Sequence, residues 1–337
     1  MTTLPVRALG PLSVSAIGLG CMNLSHAYGE TPSEEAGTRL LNRALDLGVT
    51  LLDTAALYGG GANEALVGKS VMHRRREFIL ASKCVLAMED GKRILDGSPA
   101  AIARTLDRSL ARLGTDHIDL YYLHRLDPNV AVEESVGALA LAVAAGKIGA
   151  IGLSEMSAAT IARAHREHPV AAVQSEYSAM VRNPEVAVLD TCRELGIGFV
   201  AFSPVARGML AGAVRDDAYA PGDIRRSMPR FIAPHLAHNL RAVAAFEALA
   251  AEAGATPAQL ALGWVLARGD HVVPIPGTRS IAHLEENLAA LARTFDPALL
   301  VRVDPIFAGD AIRGARYPAA AQAQIDTETL PGETLAG

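Results

Sequence analysis

Four side chains in the first half of this 337-residue chain are of the types that move protons: Asp53, Tyr58, Lys83 and His124. Three of them end short apolar runs. Val49-Thr50-Leu51-Leu52 stops at Asp53, Phe78-Ile79-Leu80-Ala81-Ser82 at Lys83, and Ile118-Asp119-Leu120-Tyr121-Tyr122-Leu123 at His124. Runs this short, rich in β-branched or aromatic residues, read as buried parallel strands. Taken singly, Asp53 fits a helix cap, His124 a structural histidine and Tyr58 a loop aromatic. Charged residues are rarely buried unless paired, and their recurrence at the same end of three strands is not packing noise. A free tyrosine, with a pKa of about 10, exchanges protons poorly near neutrality. A lysine ammonium beside the phenol favours its ionisation, and an aspartate keeps that lysine charged in a partly dry site. His124 adds a hydrogen bond that orients a carbonyl. Neither a metal nor a protein nucleophile is needed; the missing part is a hydride source, which points to a redox cofactor.

These residues need a scaffold that brings strand ends together. Strands are expected near 16–20, 50–53, 78–83, 118–124, 150–154, 172–176, 198–203 and 272–276. Helical periodicity lies between them, as in Ile102, Leu106, Leu110 and Leu113. Thr31-Pro32-Ser33-Glu34 and Thr256-Pro257-Ala258-Gln259 carry helix-start chemistry, with Gly48 and Gly146 as stops. Gly10-Pro11 between short alternating segments predicts an N-terminal hairpin. Eight unbroken β/α units favour an α/β fold of the closed (β/α)₈ (TIM) barrel type, with long loops and the active site at the C-terminal rim. A doubly wound open sheet is the runner-up, but Gly18-Leu19-Gly20-Cys21-Met22-Asn23 has Asn23 where its glycine fingerprint needs a third glycine. The expected organisation is one barrel domain over residues 1–326. The Arg-, Pro- and Asp-rich stretch between Ser203 and Leu236 reads as a binding loop or lid, and residues 327–337 as a frayed tail.

Composition narrows the class of partner. The balance of 31 basic and 36 acidic residues gives a net charge of −5, so no basic field calls for nucleic acid. Half the residues are apolar and only 4 % aromatic, which suits helices packed on a sheet. Cys21, Cys84 and Cys192 are widely spaced, indicating neither a disulfide framework nor a zinc site. No run approaches the roughly 20 apolar residues of a membrane span, and the N-terminus lacks a signal-peptide core. A cytoplasmic protein without a membrane partner is expected.

Two apparent motifs fail on spacing. Gly68-Lys69-Ser70 ends like a phosphate-binding loop, but its first glycine would fall on Asn63. His165-Arg166-Glu167-His168 lacks the spacing that places two zinc ligands on one helix face.

From about Val6 to Tyr317 the chain resembles the aldo-keto reductase superfamily, specifically its bacterial and plant branch, which also resembles the potassium-channel β subunits. Asp53, Tyr58, Lys83 and His124 match its catalytic tetrad; Asp53-Thr54-Ala55, Tyr58-Gly59, Asn63-Glu64 and Val67-Gly68-Lys69 form the most diagnostic stretch. Gly20-Cys21-Met22-Asn23-Leu24-Ser25 and Tyr28-Gly29 resemble the loop after the first strand, and His124-Arg125-Leu126-Asp127-Pro128 the branch-specific segment. The resemblance implies NADP(H) bound across the barrel rim without a dinucleotide fold. Ser154 and Gln174 match residues that hold the carboxamide, and Phe202 the aromatic that stacks on the nicotinamide; Glu155 stands where many relatives have Asn. Ser203-Pro204-Val205-Ala206-Arg207-Gly208 resembles the pyrophosphate segment, with Val205-Ala206 in place of the usual Leu-Gly. Ile275, Gly277, Thr278, Arg279, His283, Glu286 and Asn287 match the adenosine-phosphate site, and Met22 and Asp53 border the cofactor. Arg279 suits a forked contact with a 2′-phosphate, whereas His283 replaces a basic residue of many relatives.

The implied reaction is hydride transfer from NADPH to an aldehyde or ketone, with Tyr58 giving the proton, or its reverse on an alcohol. Substrate contacts are expected from Met22, Asn23, Tyr28, Leu57, Met88, Arg125 and the 225–231 segment. Met22 and Met88 would form an adaptable apolar wall that accepts varied or bulky compounds. The alternatives are an NAD-preferring secondary-alcohol or sugar dehydrogenase and a cofactor-binding regulatory subunit. The sequence leaves the oligomeric state, the physiological substrate and the direction of reaction open.

Overall fold

In the computed structural model, which describes residues 4–25, 27–89 and 91–336, the chain opens with an antiparallel hairpin, β1 (Val6–Leu9) and β2 (Leu12–Ser15). Eight parallel strands follow: β3 (Leu19–Gly20), β4 (Leu51–Asp53), β5 (Ile79–Cys84), β8 (Ile118–Leu123), β9 (Ile148–Ser154), β10 (Val170–Glu176), β11 (Gly198–Phe202) and β12 (Val272–Pro274). Each strand pairs with the next of this series. The circle closes where the Gly18 N–H donates to the Pro274 carbonyl at 3.0 Å. Backbones crowd at that seam, where a Cβ on Gly20 would sit 2.9 Å from the Ile275 carbonyl oxygen. The eight expected strands are all present, most of them shifted by one or two residues at the ends, in a (β/α)₈ barrel. A second hairpin, β6 (Leu86–Glu89) with β7 (Lys92–Leu95), leaves the rim after β5.

Helices α1 (Glu34–Asp46), α2 (Ala62–Val71), α3 (Pro99–Leu113), α4 (Val132–Ala144), α5 (Ala158–Glu167), α6 (Val188–Glu194), α7 (Leu236–Glu252), α8 (Pro257–Leu266) and α9 (Ile281–Ala289) follow in chain order. The short α10 (Pro297–Val301) and α11 (Ala319–Gln322) come last. The start signals act as read: the Ser33 hydroxyl caps α1, and Thr256 with Gln259 forms a reciprocal capping box on α8.

Side chains alternate between two cores, because successive strand residues point to opposite faces. Outward residues such as Leu52, Leu80, Tyr121 and Leu153 pack against the helices. Inward residues Leu51, Ala81, Leu120, Ala150, Ala172, Val200 and Val273 fill the barrel, and Leu9 and Val14 of the hairpin pack with them. Further along the same strands the inward face turns polar: Asp53, Lys83 and Gln174, two residues beyond Leu51, Ala81 and Ala172, and Ser154, four beyond Ala150, stand above that apolar layer. The Tyr122 ring separates the layers by lying over Gly152, where a Cβ would fall 2.2 Å from the ring.

The end of the chain departs from expectation. Residues 327–337 were expected to fray, yet the stretch from Thr327 to Glu333 is bonded to the barrel. The Asn183 amide donates to the Glu328 carbonyl at 3.0 Å and to Glu333 at 2.5 Å. Glu333 also lies 3.7 Å from Arg230. Asp326 and Glu328 accept from the backbone N–H groups of Ser157 and Ala158 at the start of α5, where a helix favours negative charge. The polar composition that suggested solvent supplies partners for buried groups.

Candidate active site

The inner-face parity delivers Asp53 and Lys83 from adjacent strands, and His124 just past the end of β8. Tyr58 comes from the loop after β4. Lys83, fully buried, pairs with the Asp53 carboxylate. It also donates to the Thr54 carbonyl at 2.9 Å and to the Tyr58 hydroxyl at 3.3 Å. Gln174 holds the other Asp53 oxygen at 2.7 Å. The His124 ring stands edge-on to Tyr58, with centroids 5.8 Å apart, and its Nδ1 is buried without a partner among the described residues.

Burial dominates the proton affinities here. It would strip Lys83 of its proton, but Asp53 and Tyr58 more than offset that and hold the ammonium above its ordinary value. Burial raises the Tyr58 phenol, and the pull of Lys83 only partly counters it. The expected net acidification is therefore corrected: in this dry pocket the phenol keeps its proton through the neutral range. His124 is held well below the ordinary imidazole value by burial, then by the charges of Arg125, Lys83 and Arg93. It is neutral, and can donate from one ring nitrogen only.

A cavity of about 670 Å³ opens above these groups. The individually named cofactor and substrate contacts line it except Met88, which is 38 % exposed on β6. Of the 225–231 segment only Arg225, Ser227 and Met228 do, while Arg226, Pro229, Arg230 and Phe231 stand off the wall. Met88 is displaced because residues 86–95 form a hairpin rather than a loop, and its cross-strand partner Arg93 lines the cavity instead. Between Ser203 and Leu236 the chain forms packed turns, with Ile224 bound to the Ala27 carbonyl at 2.9 Å and Arg225, Ser227 and Met228 on the cavity wall.

The cavity suits an extended anionic cofactor. Ser203, Ala206, Arg207 and Gly208 all have positive φ, between 47° and 93°, and such consecutive turns form concave anion-binding backbone. Beyond them, Thr278, Arg279 and Ser280 precede α9, whose free N–H groups favour a phosphate. The Arg207 side chain, however, is not held out to the groove. It pairs with Glu176 at 3.0 Å and bonds the Tyr317 and Tyr28 hydroxyls at 2.9 and 3.4 Å. Only the backbone of that residue is left to meet a pyrophosphate.

A buried charge network lies beside the cavity. Glu155, with φ of +54°, directs its carboxylate to Arg316 at 3.0 Å and to the Thr327 hydroxyl at 3.1 Å. Its other oxygen accepts from the Glu176 N–H at 2.7 Å. Sequence reasoning missed Arg93, Arg316, Tyr317 and the wall residues Gln324 and Ile325. The Asp90-Gly91 dipeptide, favoured in two-residue hairpin turns, was an available signal for the first. The others belong to irregular chain, where no periodicity operates.

Comparison with known proteins agrees with this geometry. A model of the aldo/keto reductase family matches residues 16–306. An NADP(+) aldo-keto reductase of Schizosaccharomyces pombe is 42 % identical over 98 % of this chain and 99 % of its own. A probable aldo-keto reductase of Glycine max is 42 % identical over 90 % of this chain and 88 % of its own. A glycerol dehydrogenase structure from Gluconobacter oxydans superposes with a TM-score of 0.82 at 25 % identity, covering both chains completely. Among the described residues no helix is long and apolar enough to cross a membrane. With the barrel and the family match coinciding over most of its length, this chain belongs to the aldo/keto reductase family.

Proposed function

We propose that the protein is an NADPH-dependent carbonyl reductase, converting an aldehyde or ketone to its alcohol with Tyr58 as general acid. The observation that carries this reading is the Tyr58 hydroxyl 3.3 Å from a buried, Asp53-paired Lys83, on the floor of a cavity beside a neutral His124. The name of the Schizosaccharomyces pombe relative supports NADP(H) as the cofactor.

When bound, the dinucleotide would supply a hydride for the carbonyl carbon. Tyr58 gives its proton to the carbonyl oxygen, and solvent later restores it, so NADPH, a proton and the carbonyl compound become NADP⁺ and the alcohol. Lys83 stabilises the tyrosinate left behind, and Asp53 with Gln174 fixes that lysine in place. His124 orients the carbonyl oxygen toward Tyr58. Run backward, the tyrosinate accepts the proton of an alcohol. Ser154 and Gln174 would hold the carboxamide and Phe202 would pack on the ring. The backbone of 203–208 would receive the pyrophosphate, and Arg279, His283, Glu286 and Asn287 the adenosine end. NADPH consumption with a panel of aldehydes and ketones tests the assignment. No consumption with any of them, in a protein that binds NADPH, would favour the regulatory-subunit reading.

A further inference from the structure

Most of the charges lining the cavity are accounted for. Asp53 holds Lys83, Arg207 holds Glu176 and Arg225 holds Asp223 at 2.7 Å. Arg279 bonds the Glu30 carbonyl and stands at the adenosine end with Glu286. Two cations remain, Arg93 and Arg125, and among the described residues neither has a carboxylate within ion-pair distance. Both line the cavity that contains Tyr58 and His124. Arg125 extends from the residue after His124, donating to the His124 carbonyl at 2.6 Å and to the Ser154 hydroxyl at 3.2 Å. Arg93 reaches in from β7 and is steadied at 2.7 Å by Gln324 of the C-terminal wall.

Neutral partners thus orient both guanidinium groups while leaving their charge uncompensated. Each also lowers the proton affinity of His124, and burial together with Arg125 lowers that of Arg93, so the pair sits close enough to repel. Two like charges fixed beside a reacting centre are unfavourable until an anion arrives. The segments proposed for the cofactor's phosphates, 203–208 and 278–283, are other parts of the cavity wall.

We propose that Arg93 and Arg125 form an anion clamp for the substrate, so that the preferred carbonyl compound carries a carboxylate. The planar guanidinium fork matches a carboxylate. This rests on the carbonyl-reductase reading, and it puts Arg93 on the wall where Met88 was expected, while Met22 keeps its place there.

The test compares 4-carboxybenzaldehyde with benzaldehyde, which differ by that group alone. The wild type should show kcat/KM about tenfold or more higher for the carboxylated compound, through KM, with the advantage shrinking as salt is added. The ratio between the two substrates should fall about tenfold in Arg93→Met and further in Arg93→Met/Arg125→Met, with partial recovery in Arg93→Lys. Calorimetric titration with terephthalate, which cannot be reduced by hydride, should show weaker binding in the same order. Equal kcat/KM for both aldehydes in the wild type, or a ratio unchanged by the substitutions, would overturn the clamp while leaving the reductase standing. No turnover of either aldehyde, in protein that binds NADPH, would overturn the reductase reading and the clamp with it.

Discussion

Gln174 donates at 2.7 Å to the carboxylate oxygen of Asp53 that Lys83 does not hold. The aspartate is thus gripped from both sides, by a cation of β5 and an amide of β10, across the barrel interior. Its orientation fixes where the lysine points, and the lysine in turn fixes the phenol.

Tyr58→Phe removes the proton donor and little else. Turnover should fall by about 10²–10⁴-fold, while NADPH affinity measured by fluorescence titration changes only a few-fold. Near-wild-type turnover in this variant would exclude Tyr58 as the acid.

Lys83→Met leaves Asp53 buried beside Gln174 alone. Breaking a buried pair on one side costs about 3–5 kcal/mol, so the urea midpoint should drop along with kcat. The double variant Lys83→Met/Asp53→Leu should recover part of the stability and none of the activity.

The pH profile follows from the raised phenol. A group whose folded pKa lies above its ordinary value keeps its proton until that higher pH, so kcat for carbonyl reduction should stay flat through neutrality. It should decline only above about pH 10, the ordinary tyrosine value. A basic limb near neutrality, absent in Tyr58→Phe single-turnover controls, would contradict the proton affinities described.

His124 gives the opposite signature in stability. The unfolded imidazole takes up a proton below about pH 6.5, but the buried one does not. The unfolded state then binds more protons, so stability falls as pH drops below that value, by up to about 1.4 kcal/mol per unit. Urea unfolding from pH 7.5 to 5 should show a shallower slope in His124→Asn.

Glu155→Gln should destabilise the fold by about 3 kcal/mol, because the buried Arg316 loses its compensating charge. Arg316→Met on that background should restore part of the loss. Simple additivity of the two would argue against the pair acting together.

The sequence made the barrel and its floor legible for one reason. Inward-facing polar residues on apolar strands break a strong pattern, and Asp53 and Lys83 stand out for that. His124 does so at the strand end. Arg93 was missed and Met88 misplaced because hairpin alternation is weak over four-residue strands. The bonding of Glu155 to Arg316 and Thr327 was missed for a different reason. Their pairing joins distant segments by charge alone, and nothing periodic announces it. The acidity of Tyr58 was misjudged because a sequence shows neighbouring charges but not how dry they are.

The seam between Gly18 and Pro274 joins the beginning of the barrel to its last strand. During synthesis β3 must therefore wait for nearly the whole chain, its ladder edge bare in the meantime. Contacts so remote in sequence slow folding, and unpaired strand edges invite association with other chains. Yield during expression should thus depend on temperature and chaperone supply more steeply than the stability of the finished molecule does.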